Sequence, residues 1–257
     1  MRDTIPGDLP FDLLVTGHWR PGQVRATWAE DSRPHIDEVE QAIEQAWLSA
    51  HAQKGKKLFD GPMCRLEKWK ATPKGLELTL SPTSYRIFFG TNLSNPGLAD
   101  RFGKSVLANA TGLSAGLMTT DGYLMLGRRN KSVAYYPGRV HPFAGSLEPK
   151  DSGDVFAAMQ RELAEELSIK SNEIQNMHCA AIAEDRSIRH PELIFPIFLS
   201  LTREQVEAQL DAAEHETCRA VPLKAADLEH AIGDGELTPI AAATVWIISK
   251  QLDARYG

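Results

Sequence analysis

The segment 155–167 combines an apolar face and an acidic edge in one predicted helix, which restricts the fold more than any other part of the chain. Glu162, Glu165 and Glu166 stand at positions i, i+3 and i+4, so their side chains neighbour each other on a helical surface. Large apolar residues recur at helical spacing, at Val155, Phe156, Met159, Leu163 and Leu167. This pattern predicts a helix that lies on a core and keeps its carboxylates at the edge.

A loop rich in proline and glycine precedes this helix. Residues 141–149 are predicted to continue neither a strand nor a helix, and Asp154 or Ser152 suits the N-cap of the helix that follows. Hard cations such as Mg²⁺ prefer carboxylate oxygens and keep positions open for water and substrate phosphate. The arrangement favours a metal site for phosphate chemistry, although the spacing alone also describes a solvated helix face with weak ion pairs.

The loop and helix together resemble the Nudix box, whose pattern is G-x5-E-x7-R-E-U-x-E-E-x-G-U, where U is aliphatic. Gly145 and the segment 161–166 match this pattern. Asp151 stands at the first glutamate, the next spacer is two residues longer, and Ser168 replaces the late glycine, while Ile169 keeps the aliphatic position. Because glycine is the usual residue after a helix C-terminus, Ser168 predicts a helix that ends differently or runs on. The intact glutamates indicate a divergent box that still binds metal.

A second resemblance runs from about residue 58 to the C-terminal helix. The chain is similar to the animal branch of the Nudix family that cleaves UDP-glucose and UDP-galactose, which also carries a non-standard box. The similar segments are Leu58-Phe59-Asp60, Arg65-Leu66, Thr83-Ser84-Tyr85-Arg86, Gly90-Thr91-Asn92, Gly112-x-x-Ala115, Arg128-Arg129, Gly145-x-x-Glu148-Pro149 and His215-Glu216-Thr217.

The alternation of strands and helices in the second half of the chain predicts an α/β layered fold. Asp121-Gly122 is a strong turn signal between two predicted strands, 113–119 and 123–126. The resemblance implies a Nudix α/β/α sandwich with a mixed β-sheet and a smaller N-terminal α+β extension. We expect residues 1–103 to form the extension, which contributes to substrate recognition, and residues 104–257 to form the hydrolase domain.

The resemblance also implies the residues that perform the chemistry. Mg²⁺, or Mn²⁺ in its place, would be held by Glu162, Glu165 and Glu166, with a backbone carbonyl from Ala144 or Gly145 completing the shell. Arg161 would orient a glutamate through an ion pair, and a plain surface ion pair is the alternative on spacing alone.

Further residues are expected to bind the substrate. Arg128 and Arg129 end a strand, where a guanidinium could clamp phosphate or remain an exposed charge. Glu148 would be an additional metal ligand or a carboxylate that stabilises the loop, and a turn packed on the core is the alternative role for the segment 84–92. The predicted substrate-binding residues are Tyr85 as a stacking partner of uracil, Arg86, Thr91 and Asn92 beside the base or ribose, Arg128, Arg129, Glu148, and His215 as a base or ligand.

Composition limits the remaining function classes. The net charge of −6 argues against a protein that binds nucleic-acid backbones or anionic membranes. The 3 cysteines are widely spaced and lack C-x-x-C pairing, so they indicate neither a disulfide framework nor a zinc site. Residues 1–10 have no apolar signal core, and the aliphatic stretch 240–248 is too short to span a bilayer. We therefore expect a cytoplasmic monomer or homodimer with a small-molecule substrate.

The sequence thus predicts a Mg²⁺-dependent pyrophosphatase that splits UDP-sugars to UMP and sugar 1-phosphate. The same chemistry on ADP-ribose or another nucleoside diphosphate derivative is the nearest alternative, because the pocket sets specificity and the box does not. A module that binds a nucleotide sugar with weak or no hydrolysis is a second alternative, suggested by the longer spacer and by the shorter acid at Asp151.

Overall fold

A computed structural model describes residues 9–30, 33–52, 58–211 and 215–256. The strands are β1 (Phe11–Trp19), β2 (Val24–Trp28), β3 (Pro62–Thr72), β4 (Gly75–Ser84), β5 (Gly112–Met118), β6 (Tyr123–Arg129), β7 (Val140–His141), β8 (Phe143–Ser146), β9 (Ile174–Met177), β10 (Cys179–Asp185), β11 (His190–Leu199) and β12 (His215–Pro222). The helices are α1 (Asp37–His51), α2 (Tyr85–Phe88), α3 (Leu98–Phe102), α4 (Val155–Leu167), α5 (Arg203–Ala208), α6 (Ala225–Gly233) and α7 (Pro239–Tyr256).

A large mixed sheet forms the centre of the molecule. Its strands follow the order β1-β10-β11-β5-β6-β12, with β8 paired to β5, β7 to β6 and β9 to β11. The pair β5 and β11 is parallel, from Gly112 opposite Glu192 to Met118 opposite Phe198. The turn at Asp121-Gly122 joins β5 to β6 as predicted, and Gly122 adopts a φ of +84° that favours glycine.

Helices cover both faces of this sheet. Leu113 and Leu117 pack in one core cluster with Leu163 of α4, whereas the neighbouring Met118 packs in a second cluster with Val245 of α7. Successive strand residues point to opposite faces, so one strand contributes to both cores. The predicted α/β class with a sandwich around a mixed sheet is therefore confirmed.

The N-terminal part is joined to this sheet in two ways. Strand β1 pairs antiparallel with β10, which makes it an edge strand of the main sheet. The smaller sheet has the order β2-β4-β3, and Cys64 of β3 receives a hydrogen bond from the Thr111 amide and donates one to the Leu147 carbonyl, both at 2.8 Å. The division of the chain at residue 103 stays a prediction, and residues 11–19 lie within the sheet of the second half.

Several local features differ from the predictions. The segment 141–149 is not only a loop, because β7 and β8 lie on either side of Pro142 and pair with β6 and β5. The residue pattern predicts a helix at 203–212, whereas α5 ends at Ala208, and residue 212 lies outside the described residues. Residues 1–8 of the expected signal-free segment also lie outside them. Within the described ranges, no helix is both long and apolar enough to span a membrane.

Candidate active site

Helix α4 is fixed at both ends by local interactions. Asp154 caps its N-terminus, because one carboxylate oxygen accepts hydrogen bonds from the amides of Phe156 and Ala157 at 3.1 and 3.0 Å. Ser168 follows the last residue and adopts the left-handed conformation, with a φ of 52° and a ψ of 22°. The prediction that the helix ends differently or runs on is therefore wrong, because α4 ends at Leu167 and Ser168 takes the conformation that glycine adopts more easily.

Arg161 links the helix to the loop before it. Its Nε and Nη2 donate hydrogen bonds to the two carboxylate oxygens of Asp151 at 3.2 and 3.1 Å, and its Nη1 donates to Glu162 Oε1 at 2.8 Å. Burial opposes the charged form, but the hydrogen bonds to Asp151 and the charge of Glu162 raise the pKa of Arg161 above its ordinary value. The shorter Asp151 at the first box acid thus serves as the partner of the box arginine.

Glu162 lies directly against the backbone of the loop. A Cβ atom added to Gly145 would meet Glu162 Cδ at 1.9 Å and its Oε1 at 2.1 Å, so a side chain at position 145 would occupy the same space. Only 12% of the Glu162 side chain is exposed. The requirement for glycine here is therefore a requirement for close approach of the Glu162 carboxylate.

The other two box glutamates have different surroundings. Glu166 is buried at 9% relative exposure, whereas 59% of the Glu165 side chain is exposed, with Oε2 3.4 Å from Arg161 Nη1. No three His, Cys, Asp or Glu side chains of the described residues converge as metal ligands. The predicted group of three converging glutamates is not assembled here, because Arg161 engages Glu162 and Glu165 while Glu165 faces solvent.

The donor set nevertheless fits a hard divalent cation. Carboxylate oxygens and a backbone carbonyl are the ligands that Mg²⁺ takes, and Glu162 already lies against the Gly145 backbone where a Cβ would block it. Glu166 is one helical turn away from Glu162 on the same side of α4. Glu162 and Glu166 are the residues that would hold the ion.

A cleft of about 500 Å³ opens beside Glu162. Its lining comes from the small sheet, from α2, and from the strands and loops of the main sheet. The lining residues are Met63, Tyr85, Phe88, Arg129, Ser132, Val133, Ala134, Tyr135, Ala144, Gly145, Ser146, Glu162, His190 and Glu192. A cavity of this size can hold a nucleotide-sized ligand.

Tyr85 and Arg129 are the predicted substrate-binding residues that line this cleft. Burial raises the pKa of Tyr85, and the nearby positive charge of Arg129 partly offsets this shift. Arg129 is 7% exposed, and its guanidinium carbon lies 4.6 Å from the centre of the Tyr135 ring. Aromatic rings and a nearly buried cation therefore occupy the same cleft as Glu162.

Arg128 lies outside the cleft lining. Its Nη1 donates to the Gly138 carbonyl at 2.9 Å and its Nη2 to Glu236 at 2.9 Å. Because neighbouring strand residues point to opposite faces, only one member of the Arg128-Arg129 pair can face the cleft.

Thr91, Asn92 and Arg86 make contacts within the fold. Thr91 Oγ1 donates to the Ile87 carbonyl at 2.7 Å and accepts from the Ala108 amide at 3.0 Å. Asn92 Nδ2 donates to carbonyls of the turn between β10 and β11 at residues 188 and 189, and Arg86 pairs with Glu44 of α1. These contacts differ from the predicted contacts with base or ribose, and they favour a structural role that holds α2 beside the cleft.

Glu148 and His215 also lie outside the cleft lining. Glu148 pairs with Lys150 at 3.0 Å, and its amide donates to Asp151 Oδ2 at 2.9 Å, which favours its predicted loop-stabilising alternative. His215 is 1% exposed and its ring centre lies 5.1 Å from that of Phe143. Burial, and next the charge of Arg129, lower the pKa of His215 to about 4.

A model of the NUDIX domain matches residues 111–240 of the chain. The chain belongs to the NUDIX family. The protein named uridine diphosphate glucose pyrophosphatase NUDT22 from Homo sapiens is 30% identical over 207 residues, which cover 75% of this chain and 66% of the human protein, just under two thirds of its length. The Bos taurus protein of the same name is 31% identical over 217 residues, covering 72% of this chain and 74% of the bovine protein.

Solved structures of NUDIX proteins also match. The NUDIX domain of Shewanella oneidensis NrtR, complexed with ADP ribose, is 19% identical with a TM-score of 0.41, covering 64% of this chain and 99% of that chain. The predicted membership of the Nudix hydrolase superfamily is thus confirmed by the domain match and by the two relatives.

Sequence reasoning missed part of the cleft of this NUDIX protein. Glu192 and His190 from β11 and Tyr135 from the loop before β7 line it but were not among the predicted site residues. A signal for Glu192 was present, because this glutamate directly precedes the apolar stretch 193–199, and a strand rarely buries a charge without partners.

Proposed function

We propose that this NUDIX protein is a Mg²⁺-dependent pyrophosphatase that hydrolyses UDP-glucose, UDP-galactose or similar UDP-sugars to UMP and sugar 1-phosphate. The observation that carries the proposal is the Glu162 carboxylate, which lies against Gly145 in the same cleft as Arg129 and Tyr85. Cleavage of a pyrophosphate needs neutralised phosphate charge and an activated, oriented water. The cleft combines acidic groups for a cation with a cation for phosphate.

The box glutamates of α4 would bind the metal beside the cleft. Glu162 and Glu166 would hold Mg²⁺ or Mn²⁺, and the exposed Glu165 would join them by a side-chain rotation. When bound, the ion neutralises phosphate charge and lowers the pKa of a water molecule. Arg161 holds Glu162 by a hydrogen bond of 2.8 Å and anchors the helix to Asp151, so its role is to orient the carboxylate.

Arg129 and Tyr85, which line the cleft, would bind the nucleotide. Arg129 is nearly buried, where a guanidinium binds phosphate more strongly than in water. Tyr85 lines the cleft beside Phe88, at 6.4 Å between ring centres, and offers an aromatic surface for a nucleobase. The choice of uridine is supported by the name of the human and bovine relatives, which are about 30% identical over most of this chain.

Product analysis with purified protein tests this proposal. The protein is incubated with Mg²⁺ and UDP-glucose, UDP-galactose or ADP-ribose, and the products are separated by chromatography. We expect UMP and sugar 1-phosphate from the UDP-sugars, and loss of product in Glu162→Gln and Glu166→Gln. Glu204→Gln, on the exposed side of α5, is the matched control and should retain full turnover.

Other outcomes would identify a different function. Turnover of ADP-ribose without turnover of UDP-sugars would contradict the substrate assignment and keep the pyrophosphatase chemistry. Nucleotide-sugar binding without turnover of any substrate would contradict the hydrolase and leave a binding protein.

We also propose that the protein is cytoplasmic and that it is a monomer or a homodimer. The cytoplasmic location is supported by the cysteines, because all three are free, two of them buried and one partly buried, as is usual in a reducing compartment. Fractionation of cells and light scattering of the purified protein would test the two statements separately.

A further inference from the structure

Glu192 is a buried carboxylate in the wall of the cleft. It is 2% exposed and yet lines the same cavity as Glu162 and Arg129. Space for its side chain comes from Gly112 on the neighbouring parallel strand, because a Cβ there would meet Glu192 Cγ at 2.3 Å. The mechanism proposed above assigns no role to this group.

Two neighbours hold the Glu192 carboxylate in place. Ser114 Oγ donates a hydrogen bond to Oε2, and Oε1 lies 3.1 Å from His190 Nδ1. That second contact is not a well-formed hydrogen bond, so Oε1 has none among the described residues. Burial would raise the pKa of Glu192, but the proximity of His190 and His141 and the hydrogen bond from Ser114 lower it below its ordinary value.

The charge of this group restricts what can lie beside it. An ionised carboxylate removed from water needs hydrogen-bond donors, and the lack of one is costly. A substrate phosphate is an anion and would be repelled at this position. A neutral O–H or N–H group would instead complete the donors around Oε1.

We propose that Glu192, positioned by Ser114 and His190, is a specificity residue that accepts a hydrogen bond from a neutral O–H or N–H donor of the nucleotide sugar. The proposal rests on the proposed function for the identity of the ligand. The donor chemistry is shared by the sugar hydroxyls and by the N3–H group of uracil. Analogues that lack one donor at a time distinguish these two sources.

A buried acceptor such as Glu192 adds selectivity for substrates that carry a matching donor. A site that is built to bind a substrate donor rejects an analogue without it, since its own buried polar group then stays unpaired. Glutamine at position 192 has nearly the same shape as glutamate but lacks the charge. Comparing the two therefore separates recognition from packing.

The test measures kcat and KM with Mg²⁺ for UDP-glucose, its N3-methyluracil analogue, its 2-, 3-, 4- and 6-deoxyglucose analogues and its 2′- and 3′-deoxyribose analogues. For the wild type, we expect one analogue to lose about 10- to 100-fold in kcat/KM, the range of a hydrogen bond to a charged group. Glu192→Gln should lose a similar factor with UDP-glucose, mainly in KM, and should no longer discriminate against that analogue. Ser114→Ala should weaken the discrimination in part, since the carboxylate remains.

Controls keep this test decisive. Glu184→Gln removes another buried carboxylate, one that pairs with Lys104 outside the cleft lining, and should leave the discrimination unchanged. Dissociation constants of the same analogues, measured by calorimetry without added metal, provide a readout that does not require turnover. If the wild type binds UDP-glucose but does not hydrolyse it, the proposed function fails while the inference is still tested.

The inference is overturned if folded Glu192→Gln binds and discriminates all analogues as the wild type does. It is also overturned if the wild type shows no discrimination among them. Should Glu192→Gln fail to fold, the Ser114→Ala variant decides, and unchanged discrimination in that variant would reject the proposed positioning.

Discussion

Replacement of Gly145 by alanine tests whether the Glu162 carboxylate must lie against the loop. The new Cβ would stand 1.9 Å from Glu162 Cδ, and an ordinary contact begins at 3.4 Å, so the carboxylate must move by about 1.5 Å. Misplacement of a reacting group by about 1 Å costs on the order of 100-fold in rate. We therefore expect kcat for UDP-glucose to fall by about 100-fold.

The same substitution should have only a small effect on stability. The atoms in the way form the end of a flexible side chain, and Gly145 is not among the glycines with positive φ, so alanine can adopt its backbone conformation. Loss of the Glu162–Arg161 hydrogen bond of 2.8 Å destabilises by about 1.5 kcal/mol, the lower end for charged groups, because Arg161 keeps its two contacts with Asp151. Alanine restricts the unfolded chain, which stabilises by about 0.4–1 kcal/mol. The second effect partly offsets the first, and the free energy of unfolding should fall by about 0.5–1 kcal/mol.

Kinetics and urea unfolding of Gly145→Ala together check this reasoning. Gly233→Ala is the matched control, because no atom lies within 4 Å of the Cβ it would introduce, and its turnover should equal that of the wild type. Full activity of Gly145→Ala would show that the close approach of Glu162 is not required. A large loss of stability with proportionate loss of activity would instead place Gly145 in a structural role.

Three further predictions concern other features of the site. Ser168→Gly should raise the free energy of unfolding in urea by about 0.5–1 kcal/mol, because the position has a φ of 52°; Ser168→Ala keeps the strain and should give no gain. Arg161→Lys should lower kcat by about 10- to 100-fold and raise the Mg²⁺ concentration needed for half-maximal activity, since lysine cannot make the bidentate contact with Asp151. An unchanged dependence of activity on Mg²⁺ concentration would contradict this prediction. The pKa of His215 falls from 6.5 to about 4 on folding, so between these pH values the unfolded state binds more protons than the folded state. The free energy of unfolding should therefore fall by on the order of 3 kcal/mol as the pH drops from 6.5 to 4. His215→Gln should flatten this pH dependence, and an equal slope in both proteins would refute the prediction.

Local patterns were sufficient to predict helix α4 and its surroundings. The apolar spacing from Val155 to Leu167 agrees with the observed helix bounds, and the observed N-cap, Asp154, is one of the two residues that the sequence suggested. Caps and amphipathic spacing act within a few residues, so they can be read from the chain directly. The turn at Asp121-Gly122 was predictable for the same reason.

Long-range pairing explains most of what the sequence did not predict. The segment around Pro142 has the composition of a loop, and it becomes β7 and β8 only because the edges of β6 and β5 are available to it. Similarly, Thr91 and Asn92 have the residue types of a ligand-binding turn, but tertiary contacts with Ala108 and the turn at residues 188–189 use their polar groups. Residue type alone does not distinguish these two uses.

Glycine on one strand makes room for a polar side chain from another element at three places in and beside the cleft. In each case the missing Cβ would lie within 2.3 Å of a heavy atom of that side chain. The pairs are Gly112 with Glu192, Gly127 with His215, and Gly145 with Glu162. In strands such glycines reduce intrinsic stability, since they pack no side chain and gain entropy when unfolded. Their presence here is explained by the close approach of side chains that carry a charge or can be protonated. Each glycine lies far in sequence from the side chain that it accommodates, or on a different element, so the pairing can be recognised only once the strands are paired.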